Sequence, residues 1–255
     1  MRIMFLGDIH GNFNLINQYL KRFDITDAHI IQVGDFGVGF TTLVKEKRTL
    51  EFVNNELVKR NVFLYAIRGN HDFPGYFDND PFGFTNIKLL KDYTVLHLEG
   101  KNILCIGGAV SIDRKMRKNK NQAIGRYDIK NGNESWWVDE VFNLQDDKLV
   151  DLRDINIVVT HSAPDYCVPD NSNGFGNFVN NYISADPALK MDLLDERRLL
   201  TLAFQTIKMN NDIEMHLYGH FHRSDVTTID GIQHRVLDVG ELWEKRDSNF
   251  NLYEE

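Results

Sequence analysis

The stretch Ile3-Met4-Phe5-Leu6-Gly7-Asp8-Ile9-His10-Gly11-Asn12 holds the unit on which the rest of the chain is built. A short apolar run reads as a buried strand, and it breaks at a glycine into a carboxylate and an imidazole two residues apart. A helical pattern follows at once, with apolar residues at 13, 15, 16, 19, 20 and 23 between Phe13 and Phe23. The same order recurs outward. Ile30 to Val33 runs into Gly34-Asp35, and Val62 to Ile67 runs into Gly69-Asn70-His71-Asp72. Ile157 to Val159 ends at His161, and Met215 to Tyr218 ends at Gly219-His220-Phe221-His222. Ile103 to Ile106 reads as one more strand. Thr42 to Val58 repeats the helical theme. Asp192 to Met209 is amphipathic through Leu193, Leu194, Leu199, Leu200, Ala203, Phe204 and Ile207. Strand and helix in alternation predict an α/β fold, a sheet covered by helices.

From Asp225 to Val239 the pattern changes to a hairpin, with Asp230-Gly231 as the turn between Val226 to Ile229 and Ile232 to Leu237. No repeat and no Pro/Gly/Ser linker divides the chain, so residues 1–255 are expected to form a single domain. Ser111 to Glu134, polar and basic before Trp136-Trp137, and Ser162 to Pro187, rich in Asn and Gly, read as long loops, which are commonly functional covers.

The 255 residues carry 29 Lys and Arg against 37 Asp and Glu, a net charge of −8. That balance repels nucleic acid at long range, and no extended basic stripe is evident. One run departs from it: Arg114-Lys115-Met116-Arg117-Lys118-Asn119-Lys120, read either as a solvated loop or as a local anion-steering patch. Two cysteines, Cys105 and Cys167, make no disulfide framework, which favours a reducing, cytoplasmic setting. No apolar run is long enough for a signal-peptide core or a membrane span, so no membrane partner is expected. Oligomeric state is not legible.

Singly, Asp-X-His and His-X-His are common triplets. Jointly, each after a strand, they point to one site, because ligands collect at the carboxyl ends of strands in α/β sheets. Alternation sends residues i and i+2 to one side, so Asp8 with His10, and His220 with His222, each aim two donors together. Glycines 7, 34, 69 and 219 are read as sharp backbone turns beside the ligands. The donors are carboxylate, imidazole and one amide without thiolate, a set for Mn²⁺, Fe or Zn²⁺ and not for a sulfur-based structural zinc. Seven donors exceed one tetrahedral ion and point to two. Two divalent ions about 3.5–4 Å apart suit phosphoester hydrolysis by metal-activated hydroxide.

Asp8-X-His10, Gly34-Asp35, Gly69-Asn70-His71-Asp72, His161 and Gly219-His220-X-His222 resemble the five-block signature of the calcineurin-like metallophosphoesterase superfamily. The resemblance implies a four-layer α/β/β/α sandwich with the metals at the carboxyl ends of the strands. It implies that Asp8, His10 and His222 hold one ion, that Asn70, His161 and His220 hold the other, and that Asp35 bridges them. His71 would steady the phosphate or protonate the leaving oxygen, with Asp72 beside it to orient the ring and Asn70 also touching phosphate. Val38 and Gly39 stand where serine/threonine protein phosphatases of that superfamily carry an Asp-Arg pair, which argues against that activity. Arg68 matches the Arg-Gly-Asn-His form of those enzymes and is a candidate phosphate contact. Arg114 and Arg117 are candidates to reach over the metals to a second phosphate, as the planar guanidinium fork suits. Phe175, Phe178 and Tyr182 are read as a base-stacking lid or as packing. The expectation is a dinuclear phosphoesterase acting on a phosphomonoester or phosphodiester of a small metabolite or nucleotide, with Mn²⁺ the favoured ion. A non-catalytic protein-binding scaffold on the same fold, or a nuclease or protein phosphatase of the superfamily, is the alternative.

Overall fold

A computed structural model of the chain describes residues 1–124, 135–169 and 175–245. The first half runs β1 (Arg2–Leu6), α1 (Asn14–Arg22), β2 (Ala28–Gln32), α2 (Leu43–Lys59), β3 (Val62–Ala66), a one-turn α3 (Pro74–Asp78) and β4 (Ile87–Leu89). The second half begins with β5 (Thr94–Leu98), β6 (Lys101–Ile106), α4 (Arg114–Ile124), α5 (Asp146–Leu149) and β7 (Ile157–Thr160). It continues through α6 (Asn177–Ala185), α7 (Leu189–Lys208), β8 (Met215–Tyr218), β9 (Asp225–Ile229), β10 (Ile232–Val236) and β11 (Leu242–Glu244).

The strands form two sheets. The first has the order β11-β1-β2-β3-β4, parallel except for β11, and the second the order β5-β6-β7-β8-β10-β9, with antiparallel β5 and β9 at its edges. Alternation along β1 explains the layering. Met4 and Leu6 turn to one side and pack with Ile16 and Leu20 of α1 and Leu50 and Leu57 of α2. Ile3 and Phe5 turn to the other side and meet Ile103, Cys105, Ile157, Val159 and Leu217 of the second sheet. On that sheet's far face, Leu104, Ile106 and Val158 pack against Leu200, Ala203, Phe204 and Ile207 of α7. The order is helix, sheet, sheet, helix. Strands buried on both faces read as unbroken apolar runs, which is why the first strands were legible.

Parallel pairing aligns Leu6 with Gln32 and Gln32 with Ala66, and aligns Val159 with Leu217, so the loops leaving each set of strands emerge at one edge. The hairpin forms as expected, with Asp230 and Gly231 both at positive φ (51° and 79°), the geometry that suits a two-residue hairpin turn. Both segments read as loops contain helices instead. Arg114–Ile124 is helical inside Ser111 to Glu134, whose residues 125–134 lie outside the described part, and Asn177–Ala185 is helical inside Ser162 to Pro187. No helix among the described residues is long and apolar enough to cross a membrane.

Candidate metal centre

The loop after β1 delivers Asp8 and His10, and the loop after β8 delivers His220 and His222. The Asp8 carboxylate is fully buried and accepts the His220 backbone N–H at 3.0 Å, which ties the two loops together. His222 Nε2 lies 3.5 Å from Asp8 Oδ2 and 3.0 Å from His10 Nε2, and His10 Nδ1 lies 3.7 Å from Asp35 Oδ2. Ligand atoms of Asp8, His10, Asp35 and His222 all fall within 4.8 Å of one another. Two carboxylates and two imidazoles this close offer one divalent cation four donors of the right type.

The other side of Asp35 faces a second group. Its Oδ1 lies 3.3 Å from His161 Nε2, which is itself 3.1 Å from Asn70 Oδ1. The His161 Nδ1 is 2.9 Å from the Val33 carbonyl, so the Nδ1–H donates there and Nε2 faces two oxygens, where a metal ion would take the place of its proton. Asn70 is oriented in turn, because its Nδ2 donates to Ser111 Oγ at 2.9 Å and leaves Oδ1 facing inward. Burial opposes charge on His161, yet the Asp35 and Asp8 carboxylates push its pKa up to about 10. Burial would raise Asp35, but His161, His71 and His10 hold it well below the usual range. Both shifts express one demand for positive charge at this corner. Burial and the nearby His161 keep His220 well below its usual range, neutral and able to ligate, with its ring edge-on to His161 at 5.1 Å. The donors thus fit two divalent ions with Asp35 straddling them: Asp8, His10 and His222 on one side, Asn70, His161 and His220 on the other.

Four of these ligands sit on strained backbone. His10, Asp35, His220 and His222 all have positive φ, between 45° and 69°, a region that side chains rarely adopt. Of glycines 7, 34, 69 and 219, only Gly34 has a positive φ (101°). The expectation of four sharp turns is therefore corrected: Gly69 and Gly219 are small because of close approach, since a Cβ would sit 2.1 Å from Asp35 Oδ1 or Asp8 Oδ1 respectively.

His71 lines the same cavity as Asp35, Asn70, His220 and His222, next to His10, and its backbone N–H donates to Asp35 Oδ1 at 2.6 Å. Burial lowers its pKa, with Asp35 acting in the opposite sense. Asp72 does not orient it. Its two oxygens accept the backbone N–H groups of Phe36, Gly37, Val38 and Gly69 at 2.6 to 3.1 Å, so it fixes the loop that carries Asp35 to the loop that carries His71.

The three arginines expected to hold phosphate are placed elsewhere. Every N–H of the Arg68 guanidinium is engaged, by Asp92 and by the carbonyls of Asp139, Glu140 and Val141. Arg117 is buried and binds Asp113, Glu140 and the carbonyls of Ser135 and Asn70, and so braces Asn70 from behind. Arg114 pairs with Asp186 and Asp192, and Lys115 donates to the Ala185 carbonyl. The basic run is thus helix α4 stapled to α6 and α7, neither a solvated loop nor a patch over the metals. Trp137 is core, packed against Phe40 and Phe73, and Lys118 lies over the Trp136 ring.

Sequence reasoning missed Arg197 of α7. It lines a cavity of about 470 Å³ that opens from Asp35, Asn70 and His71 toward Phe178 and Tyr182 of α6. The α6 apolar residues Phe178, Val179, Tyr182 and Ile183 do sit at helical spacing, a signal that was available. A separate buried cluster, Cys167, His216 and His234, lies on the second sheet; His216 Nε2 is 2.7 Å from Thr160 Oγ1 and its Nδ1 is 3.0 Å from His234 Nδ1.

Residues 1–224 match the family model described as calcineurin-like phosphoesterase. No curated protein was found to match the chain. Among solved structures, a dimetal phosphatase from Danio rerio is similar at 13% identity, over 93% of this chain and 87% of that one, with a TM-score of 0.49. Phosphopantetheinyl hydrolase from Mycobacterium tuberculosis is similar at 12% identity over 97% of each chain, with a TM-score of 0.44. GAP50, the anchor in the inner membrane complex of Plasmodium, is similar at 17% identity over 99% of this chain and 75% of that one, with a TM-score of 0.40.

Proposed function

The chain belongs to the calcineurin-like phosphoesterase family, a phosphoester hydrolase, and from that premise we propose that it is a dinuclear, Mn²⁺-dependent enzyme of the cytoplasm that cleaves the ester of a small phosphorylated metabolite or nucleotide. The observation that carries this reading is the straddling carboxylate of Asp35, with Oδ1 toward His161 and Oδ2 toward His10. Mixed oxygen and nitrogen donors without thiolate favour Mn²⁺, and two free, buried cysteines agree with a reducing compartment.

When bound, two divalent ions supply Lewis acidity, offsetting charge on the phosphoryl oxygens and acidifying water. The chain's own residues supply the rest. Asp8, His10 and His222 would hold one ion, and Asn70, His161 and His220 would hold the other. The Val33 carbonyl keeps the His161 proton on Nδ1, and Ser111 keeps the Asn70 oxygen facing inward. His71, on the cavity side of Asp35, steadies the phosphoryl group and gives a proton to the leaving oxygen.

The test is hydrolysis of bis(4-nitrophenyl) phosphate and 4-nitrophenyl phosphate by Mn²⁺-loaded protein, with and without chelator. The expected result is two metal ions per chain, turnover lost on chelation, and kcat reduced by about 10²–10⁴ in His71→Ala with metal content retained. Protein that binds no metal and turns over neither ester would overturn the reading.

A further inference from the structure

The cavity beside the metal centre has two unlike ends, and only one is accounted for by the ligands. Its other end is built by α6, α7 and the loop after β6. Phe178 and Tyr182 meet edge to face with centroids 5.3 Å apart, yet Phe178 is left 65% exposed at the cavity lip. Leu193 and Ile112 complete an apolar wall. At about 470 Å³ the space falls within the roughly 300–1,000 Å³ of small-molecule sites.

One cation lines this end, Arg197. It is half-buried, with its guanidinium carbon 4.7 Å from the centre of the Phe175 ring. None of the ion pairs among the described residues includes it. The neighbouring carboxylates are committed elsewhere: Glu196 accepts from Ser162 Oγ and the Val110 N–H, and Asp113 Oδ1 holds Arg117 at 2.9 Å. Arg114 and Arg117, on the helix that follows Ile112 and Asp113, are neutralised within the scaffold by Asp186, Asp192, Asp113 and Glu140. A partly desolvated guanidinium without a carboxylate, backed by an aromatic ring and facing a cavity, is arranged to receive an anion.

We propose that Arg197 and the Phe178–Tyr182 wall form a specificity site for the leaving portion of the substrate: a flat, nucleoside-like body carrying a second anionic group. The reading rests on the proposed phosphoesterase centre and deepens it. The ester phosphate lies at the metals, the planar body lies against Phe178 and Tyr182, and the second anion is bound by Arg197.

The site can be tested by binding, apart from turnover, in Mn²⁺-loaded protein carrying His71→Ala. In that background, calorimetric titration should show adenosine 3′,5′-bisphosphate binding more tightly than adenosine 5′-monophosphate, and more tightly than fructose 1,6-bisphosphate, which has two anions and no aromatic body. Arg197→Gln should weaken the adenosine bisphosphate by about tenfold or more, toward the monophosphate, with Arg197→Lys intermediate. Phe178→Ala should erase the advantage over fructose bisphosphate. In Mn²⁺-loaded protein, the kcat/KM ratio of adenosine bisphosphate to monophosphate should collapse in Arg197→Gln. Glu196, the buried carboxylate nearest in sequence, keeps its hydrogen bonds from Ser162 and Val110 in that variant, so the folded state is expected to persist, checked by circular dichroism. Equal affinity of wild type and Arg197→Gln for the bisphosphate would overturn the anion site, and equal affinity for adenosine and fructose bisphosphates would overturn the aromatic one. If wild type cleaves neither nitrophenyl ester while these binding differences persist, the phosphoesterase reading fails and the recognition site stands.

Discussion

Four of the seven expected metal ligands hold a left-handed backbone, and something must keep them there. For Asp35 that anchor is Asp72. Four backbone N–H groups converge on its two oxygens and favour the carboxylate, against burial and the neighbouring Asp35, which push its pKa up to about 7. Asp72→Ala strands four buried donors, and is expected to cost about 3 kcal/mol of stability by urea unfolding and to lower metal occupancy in parallel. A variant with wild-type stability would mean that water replaces the carboxylate. Asp35→Asn keeps the shape and removes the charge that both ion groups share. Metal content by elemental analysis should then fall below two per chain, with the fold retained by circular dichroism.

At the scale of elements, α4 and α6 were hidden for different reasons. Helix α4 has almost no apolar face, and Met116 is 61% exposed, so periodicity offers nothing to read. Its placement comes from arginine pairs with residues 70 or more positions away, which no local window contains. Arg117→Ala leaves Glu140 buried opposite an empty space and is expected to destabilise by about 3 kcal/mol, because a buried pair broken on one side exposes the cost of the remaining charge. Arg114→Ala removes part-buried pairs whose carboxylates still reach solvent, so a loss of about 1 kcal/mol is expected, with KM for 4-nitrophenyl phosphate unchanged. A raised KM would return Arg114 to the substrate. Helix α6, by contrast, shows apolar spacing, and its Asn-rich polar face masked that pattern.

Across the whole molecule, His216 and His234 link β8 and β10 beneath Phe204 of α7. Burial holds His216 well below its ordinary range. Burial and Lys208 bring His234 down to about 4, with Asp230 opposing. The unfolded chain takes up these protons near pH 6.5, while in the folded chain His234 refuses its proton until about pH 4 and His216 stays neutral well below its ordinary range. Stability is therefore expected to fall as pH drops from about 6.5 toward 4. The urea midpoint followed through that window should fall less steeply in His234→Gln than in wild type. An unchanged slope would place acid sensitivity in other groups.

The strand-carboxylate-helix unit at residues 3–23 and its later copies were sufficient to predict the α/β layers and to pick out Asp8, His10, Asp35, Asn70, His161, His220 and His222. Buried parallel strands must be apolar throughout, and residues that ligate must follow them, so both leave a local trace. Arginine roles leave no such trace. Arg68, Arg114, Arg117 and Arg197 are alike as letters, and each is defined by which carboxylate or carbonyl meets its fork. Three find partners contributed by distant loops and helices, while Arg197 meets an aromatic ring and a cavity. Charge is satisfied through space, and only the packed chain decides which guanidinium is still available to an anion.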